Sequence, residues 1–221
     1  MAPIQAVLFD YGMVLSGPPD PAAWARMRSI TDLSEELLHR EYWAHRHAYD
    51  RGDLTSETFW KTAATGAGIT LTPTQLAGLI AADTDFWSPL NPPMIDWAQR
   101  LQRAGIRIGI LSNMPDAMEA GLLAKHGEWL NKFDHHTWSH ALNLAKPEPA
   151  IYRHAAAGLR TPPANILFLD DRAENIAPAL DLGMQAIQYT DHTAFEREMH
   201  TRGLAPLLQL AGSIGSQNGK L

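Results

Sequence analysis

Ile4-Gln5-Ala6-Val7-Leu8-Phe9-Asp10-Tyr11-Gly12 is the stretch that decides the fold. Residues 4–9 form a short apolar run rich in strand formers, and it stops at a turn signal, Asp10-Tyr11-Gly12. Such a run predicts a strand buried on both faces of a parallel sheet, with a functional loop at its C-terminal end. The pattern recurs downstream. Residues 106–111 lead into Ser112-Asn113, residues 166–169 lead into Asp170-Asp171, residues 186–189 read as a fourth strand, and residues 134–138 are a candidate short one. Helical stretches separate them: 94–104 closed by Gly105, 116–126, 148–157 stopping at Gly158, 175–182 closed by Gly183, and 193–200. Strands alternating with helices predict an α/β fold, a doubly wound parallel sheet with right-handed crossovers.

Between the first and second strands the pattern is helical throughout. Residues 16–21 are rich in Pro, Gly and Ser and read as a linker. Pro21 suits the first turn of a helix. Ser34 before Glu35-Glu36 reads as an N-cap followed by first-turn acids. Thr55 or Ser56 can cap a helix carrying Phe59 and Trp60, and Thr72-Pro73-Thr74-Gln75 has capping-box spacing. The expected organisation is a core of residues 1–15 and 90–211, a small all-helical insertion at 16–89, and a disordered tail at 212–221, where Gly, Ser, Gln and Asn dominate.

Composition narrows the function. The 221 residues carry a formal charge of −6 with 45% apolar and 19% charged residues, an ordinary globular balance with no basic stripe for nucleic acid. There is no cysteine, which excludes disulfides, thiolate metal sites and a Cys nucleophile. The first residues show no positively charged leader, and no apolar run approaches the roughly 18–20 residues of a membrane span. The expectation is a cytoplasmic protein, monomer or homodimer, that binds neither membrane nor nucleic acid.

In a doubly wound sheet the carboxyl ends of the strands share one edge, and ligands bind in the crevice there. Asp10, Ser112-Asn113 and Asp170-Asp171 therefore converge although about 160 residues separate the first from the last. Clustered carboxylates repel and call for a cation. An all-oxygen donor set favours Mg2+ over Zn2+. Mg2+ bridging carboxylates and phosphate is a common arrangement, and a carboxylate can attack phosphorus covalently. The transferring group then needs a Lys and a hydroxyl or amide donor, for which Lys146 and Ser112 are available.

Four segments in order resemble the motifs of the haloacid dehalogenase-like hydrolases. They are Phe9-Asp10-Tyr11-Gly12-Met13-Val14-Leu15, Leu111-Ser112-Asn113, Lys146-Pro147-Glu148-Pro149-Ala150-Ile151-Tyr152, and Phe168-Leu169-Asp170-Asp171-Arg172 with Asn175, Ala179 and Leu182-Gly183. The resemblance implies a Rossmann-like catalytic core and a helical cap formed by the insertion, similar to the N-terminal phosphatase domain of soluble epoxide hydrolase. It implies Asp10 as nucleophile and metal ligand and the Gly12 carbonyl as a second ligand. Asp171 is implied as the fourth-motif ligand by its spacing to Gly183, with Asp170 a neighbouring carboxylate. Ser112, Asn113 and Lys146 would bind the phosphoryl group, and Lys146 would also pair with Asp10. The implied activity is a Mg2+-dependent hydrolase acting on a small phosphate monoester through an aspartyl-phosphate.

One departure stands out. Most phosphatases of this kind carry a second Asp two residues after the nucleophile, where this chain has Gly12. General acid–base help is worth roughly 10²–10⁴ in rate. The gap implies a phosphatase that is slow, limited to good leaving groups such as sugar 1-phosphates, or supported by a residue of the insertion, with two alternatives: a weak or inactive phosphate- and metal-binding regulator, or a 2-haloacid dehalogenase. The family's dehalogenases usually place Tyr two residues after the nucleophile, whereas Tyr11 follows Asp10 directly, and they lack a pair like Asp170-Asp171. The bland readings apply elsewhere. His135-His136 matches no metal spacing, Asn175 reads as a hydrogen-bonding partner rather than a ligand, and Trp24, Trp43, Trp60 and Trp87 read as packing. Arg51-Gly52-Asp53 reads as a turn, and Arg46 and Arg51 are candidate contacts for a substrate anion.

Overall fold

The strand signals come together as one five-stranded parallel sheet in the computed structural model, which describes residues 2–210. The tail expected at 212–221 lies outside the described residues. The strands are β1 (Ala6–Phe9), β2 (Arg107–Ser112), β3 (His135–Trp138), β4 (Ile166–Asp170) and β5 (Gln185–Gln188), in the spatial order β3-β2-β1-β4-β5. β1 is central and fully buried. Its alternate residues serve two cores. Val7 and Phe9 pack with Trp97, Met118, Phe195 and Met199 on one face, while Ala6 and Leu8 pack with Ile151, Tyr152, Ala155 and Ala179 on the other. The first face is covered by α6 (Pro92–Arg103), α7 (Asp116–Leu130) and α11 (His192–Thr201), the second by α9 (Pro149–Gly158) and α10 (Ala173–Asp181). Phe9 stands in register with both Ile110 and Leu169. That register delivers Asp10, Ser112 and Asp170 to the same edge of the sheet.

The insertion is helical: α1 (Pro21–Thr31), α2 (Glu35–Ala44), α3 (Arg46–Arg51), α4 (Ser56–Gly66) and α5 (Pro73–Phe86). Its caps follow local chemistry. Ser34 accepts from the Leu37 amide, and Thr55 with Thr58 and Thr72 with Gln75 close capping boxes. The insertion has its own core, built on Met27, Leu38, Tyr42, Phe59, Trp60 and Leu79. Its entry and exit strands run side by side, with Gly17 N–H donating to the Pro89 carbonyl at 2.9 Å and Asn91 N–H to the Leu15 carbonyl at 2.9 Å. No helix among the described residues is long and apolar enough to cross a membrane.

Three short helices depart from the sequence expectation: α3, α8 (Ser139–Leu142) and α12 (Ala205–Leu208). All are too short to show a full amphipathic period, so tertiary contacts settle them. Gly52 does terminate α3, with φ +86°. α7 runs four residues beyond the expected 126, because Leu130 is buried in the core beside Trp129.

Candidate active site

Asp10 follows β1, and Lys146 sits where the segment before α9 crosses the sheet edge. The Lys146 side chain is only 1% exposed, and its ammonium lies 2.9 Å from Asp10 Oδ1 and 2.6 Å from Asp170 Oδ2. Asp10 Oδ1 also accepts the Tyr11 N–H at 2.7 Å. Both donors therefore hold one oxygen, and Oδ2 is the one left to react. Asp170 is fully buried and committed. Its Oδ1 accepts from Arg172 N–H and Asn175 Nδ2, both at 2.9 Å. Asn175 is thus a partner of Asp170, as its residue type suggests, and its carbonyl accepts the Tyr152 hydroxyl at 2.9 Å. Asp171, partly exposed, faces the same cavity.

One carboxylate oxygen from each of Asp10, Asp170 and Asp171 lies within 4.8 Å of the others. A single ammonium does not balance them. Burial pushes the Asp10 carboxyl up to about 7 against the pull of Lys146, and Asp170 adds to the rise. Burial and then Asp170 raise Asp171 as well. Burial would draw Lys146 down, but Asp10 and Asp170 outweigh it and hold its ammonium above the ordinary value. Excess negative charge on hard oxygen donors, with Asp171 paired to no cation among the described residues, is the chemistry that accepts a divalent metal such as Mg2+. Asp10 and Asp171 are the side chains that fit the role of ligands, with Gly12 lining the same cavity.

Ser112, at the end of β2, is buried at the cavity wall. Asn113 lines the cavity too, yet its amide is engaged with the Lys146 backbone: Nδ2 donates to the Lys146 carbonyl at 2.9 Å and Oδ1 accepts the Lys146 N–H at 2.8 Å. The side chain expected to bind phosphate instead clamps the segment that carries Lys146, whose bond to Pro147 is cis. Tyr11 is buried, and its hydroxyl donates to the Trp87 carbonyl at 3.2 Å, which ties the nucleophile loop to the exit of the insertion.

The roof of the cavity comes from α2, α3 and the residue after α5. Arg46 faces it and is held by ion pairs. It pairs with Asp50 at 2.7 Å and Asp83 at 3.1 Å, and it donates to the Tyr42 hydroxyl. Arg51 pairs with Asp53 at 2.9 Å and Glu148 at 3.0 Å. Of these two candidate contacts for a substrate anion, Arg46 lines the cavity and Arg51 does not. Glu148 Oε1 also accepts the Ala145 N–H at 2.9 Å, so the insertion is pinned beside Lys146. Trp24 and Trp60 pack within the insertion, whereas Trp43 and Trp87 line the cavity. His47, Asp50, Met114 and Met118 line it as well, and no sequence signal marks them, since helical phase and crossing angle decide which side chains reach it.

The sequence profile of the haloacid dehalogenase-like hydrolases matches residues 4–183. The chain belongs to that family. Among curated relatives, it is 26% identical over 190 residues to a sesquiterpene phosphatase from Aspergillus oryzae, a match covering 86% of this chain and 92% of the relative. It is 27% identical over 223 residues to bifunctional epoxide hydrolase 2 from Sus scrofa, covering 93% of this chain but 40% of the relative. The chain spans only 36% of a drimenol cyclase from Aspergillus calidoustus that it also matches. A family enzyme from Bacteroides thetaiotaomicron, solved in complex with magnesium and inorganic phosphate, superposes with TM-score 0.68 at 21% identity, covering 87% of this chain and 98% of that one. An L-2-haloacid dehalogenase from Xanthobacter autotrophicus superposes with TM-score 0.58 at 21% identity, covering 94% and 86%. At such identities the structural likeness speaks for the fold alone.

Proposed function

We propose that this family member is a Mg2+-dependent phosphomonoesterase with Asp10 as nucleophile. The observation that carries the reading is the ion cluster in which Lys146 bridges Asp10 and Asp170 while Asp171, beside them, pairs with no cation among the described residues. Asp10 and Asp171 would hold the metal, with the Gly12 carbonyl as a further oxygen. The bound ion would neutralise charge on the phosphoryl oxygens. The sesquiterpene phosphatase among the relatives and the magnesium–phosphate complex of the Bacteroides enzyme support the same chemistry.

The residues divide the work. Asp10 Oδ2 attacks phosphorus, and the bond to the ester oxygen breaks, sending its electron pair out with the alcohol. Lys146 sits against the nucleophile and offers its charge to the developing phosphoryl anion, and Ser112 donates to it. Water then attacks phosphorus, the bond to Asp10 breaks, and the carboxylate is restored as phosphate leaves. Asp170 takes no part in bond making. It holds Lys146 in place and is itself held by Arg172 and Asn175. The helical roof limits water around the reacting atoms.

Phosphate release from acetyl phosphate and p-nitrophenyl phosphate, with Mg2+ and with a chelator, tests the reading. Turnover should need the metal and disappear in Asp10→Asn. Metal-independent halide release from a 2-haloacid would favour the dehalogenase reading, and magnesium binding without turnover would favour a regulator.

A further inference from the structure

We propose that the alcohol released is a phenol, so that the substrate is an aryl phosphate monoester. The inference rests on the phosphatase reading and names the substrate class for the same site. Three independent features point to it.

The first is the wall opposite Asp10. The cavity has a volume of about 350 Å³, at the small end of the roughly 300–1,000 Å³ usual for ligand sites. Its lining away from the ion cluster includes five large apolar side chains, Met13, Trp43, Trp87, Met114 and Met118. Trp43 is 44% exposed and Met13 36%, two of the four large hydrophobic side chains left in solvent among the described residues. The Trp43 and Trp87 rings meet edge to face at 6.4 Å and 88°, forming a right-angled corner. Two indoles and three thioethers suit a flat aromatic ring, through edge contacts and sulfur–aromatic contacts.

The second is that the charged groups on that wall are paired with one another or with their neighbours. Arg46 commits its Nε and Nη1 to Asp50, Asp83 and Tyr42. Arg172 at the rim pairs with Glu174. A second phosphate would bring charge to a surface whose charged groups already have partners, and unmatched polar groups are what specificity penalises.

The third is Gly12. A Cβ built there meets nothing within 4 Å, and φ −60°, ψ 128° suits any residue. Neither steric nor conformational need requires glycine, so the place of the usual acid stands open. Without a proton delivered from that position, the leaving group has to depart as an anion. Phenols ionise near pH 10, the value of the Tyr side chain, while aliphatic alcohols ionise far higher, close to water. A phenolate leaves without help where an alkoxide does not.

Phenyl phosphate and benzyl phosphate separate these claims, because they share the ring and differ in the leaving oxygen. With Mg2+, phenyl phosphate should exceed benzyl phosphate in kcat/KM by about 10²-fold or more, the worth of a missing general acid. Gly12→Asp should raise kcat for benzyl phosphate by a similar factor and change phenyl phosphate little. Trp43→Ala, its fold verified by thermal melting, should raise KM for phenyl phosphate about tenfold. Acetyl phosphate, small and with a carboxylate leaving group, reports on the phosphatase itself. If acetyl phosphate is hydrolysed while glucose 1-phosphate, benzyl phosphate or farnesyl phosphate matches phenyl phosphate, the aryl assignment falls and the phosphatase reading stands. If acetyl phosphate is not hydrolysed, both fall. A flat dependence on the leaving group that turns steep in His47→Asn would also overturn the assignment, by showing that the roof supplies the proton.

Discussion

Replacing Lys146 with Met removes the cation bonded to both Asp10 and Asp170 while keeping most of the volume of the stem. The ammonium sits 2.9 Å from Asp10 and 2.6 Å from Asp170 with its side chain 1% exposed. Deleting one member of a buried ion pair typically costs about 3–5 kcal/mol, because the partner charge stays buried without compensation. For a chain of this size each kcal/mol lowers the melting temperature by roughly 2–4 °C, so the loss should be about 6–20 °C. Calorimetry near neutral pH with a chelator present measures it. The cause can be separated by a cycle with Asp170→Asn, which removes one of the stranded charges. The double variant should be less damaged than Lys146→Met alone, with a coupling of at least about 1 kcal/mol. A Lys146→Met loss below about 1 kcal/mol, or strictly additive single effects, would refute the view that this ammonium balances the carboxylates.

Other outcomes follow from the same geometry. Gly52→Ala forces a side chain into φ +86° with its Cβ 2.5 Å from the His140 carbonyl oxygen; it should cost about 2 kcal/mol or more, seen in urea unfolding, and raise KM as α3 shifts. Arg46→Met strands Asp50 and Asp83 and should cost about 3–5 kcal/mol in the same assay. The Asp10 carboxyl, held near 7 when folded against 3.8 ordinarily, keeps a proton that the unfolded chain has lost. Metal-free stability should therefore fall as pH rises from about 4 to about 7 and then level off. Mg2+ affinity should climb over the upper part of that window, by up to about tenfold per pH unit with proton release detectable by calorimetry, because the metal displaces that proton.

Much of the site is legible in the sequence because the sheet is simple. The three central strands, β2, β1 and β4, are mostly apolar runs, and in a parallel sheet the last residue of each has to emerge at the shared edge, so Asp10, Ser112 and Asp170 converge by topology alone. The capping signals at Ser34, Thr55 and Thr72 are equally local. What escapes is whatever depends on orientation across the insertion. Trp24 and Trp43 look alike in the sequence, yet one is packed against Tyr42 and Phe86 and the other stands at the rim. Asn113 reads as a phosphate donor until the Lys146 backbone is seen to occupy both ends of its amide. The positive φ of Met13, 58°, has no residue signal at all, since Gly is the residue expected in that region and Gly12 beside it does not use it.

The central claim is that Asp10 carries the phosphoryl group between substrate and water. Acid-quenched enzyme, taken during turnover of acetyl phosphate with Mg2+ and digested for mass spectrometry, examines it directly. The account predicts one added phosphoryl group on the peptide containing Asp10, absent in Asp10→Asn and removed by hydroxylamine, which cleaves acyl phosphates. Steady phosphate release with that peptide unmodified, or with the label on another residue, would contradict it.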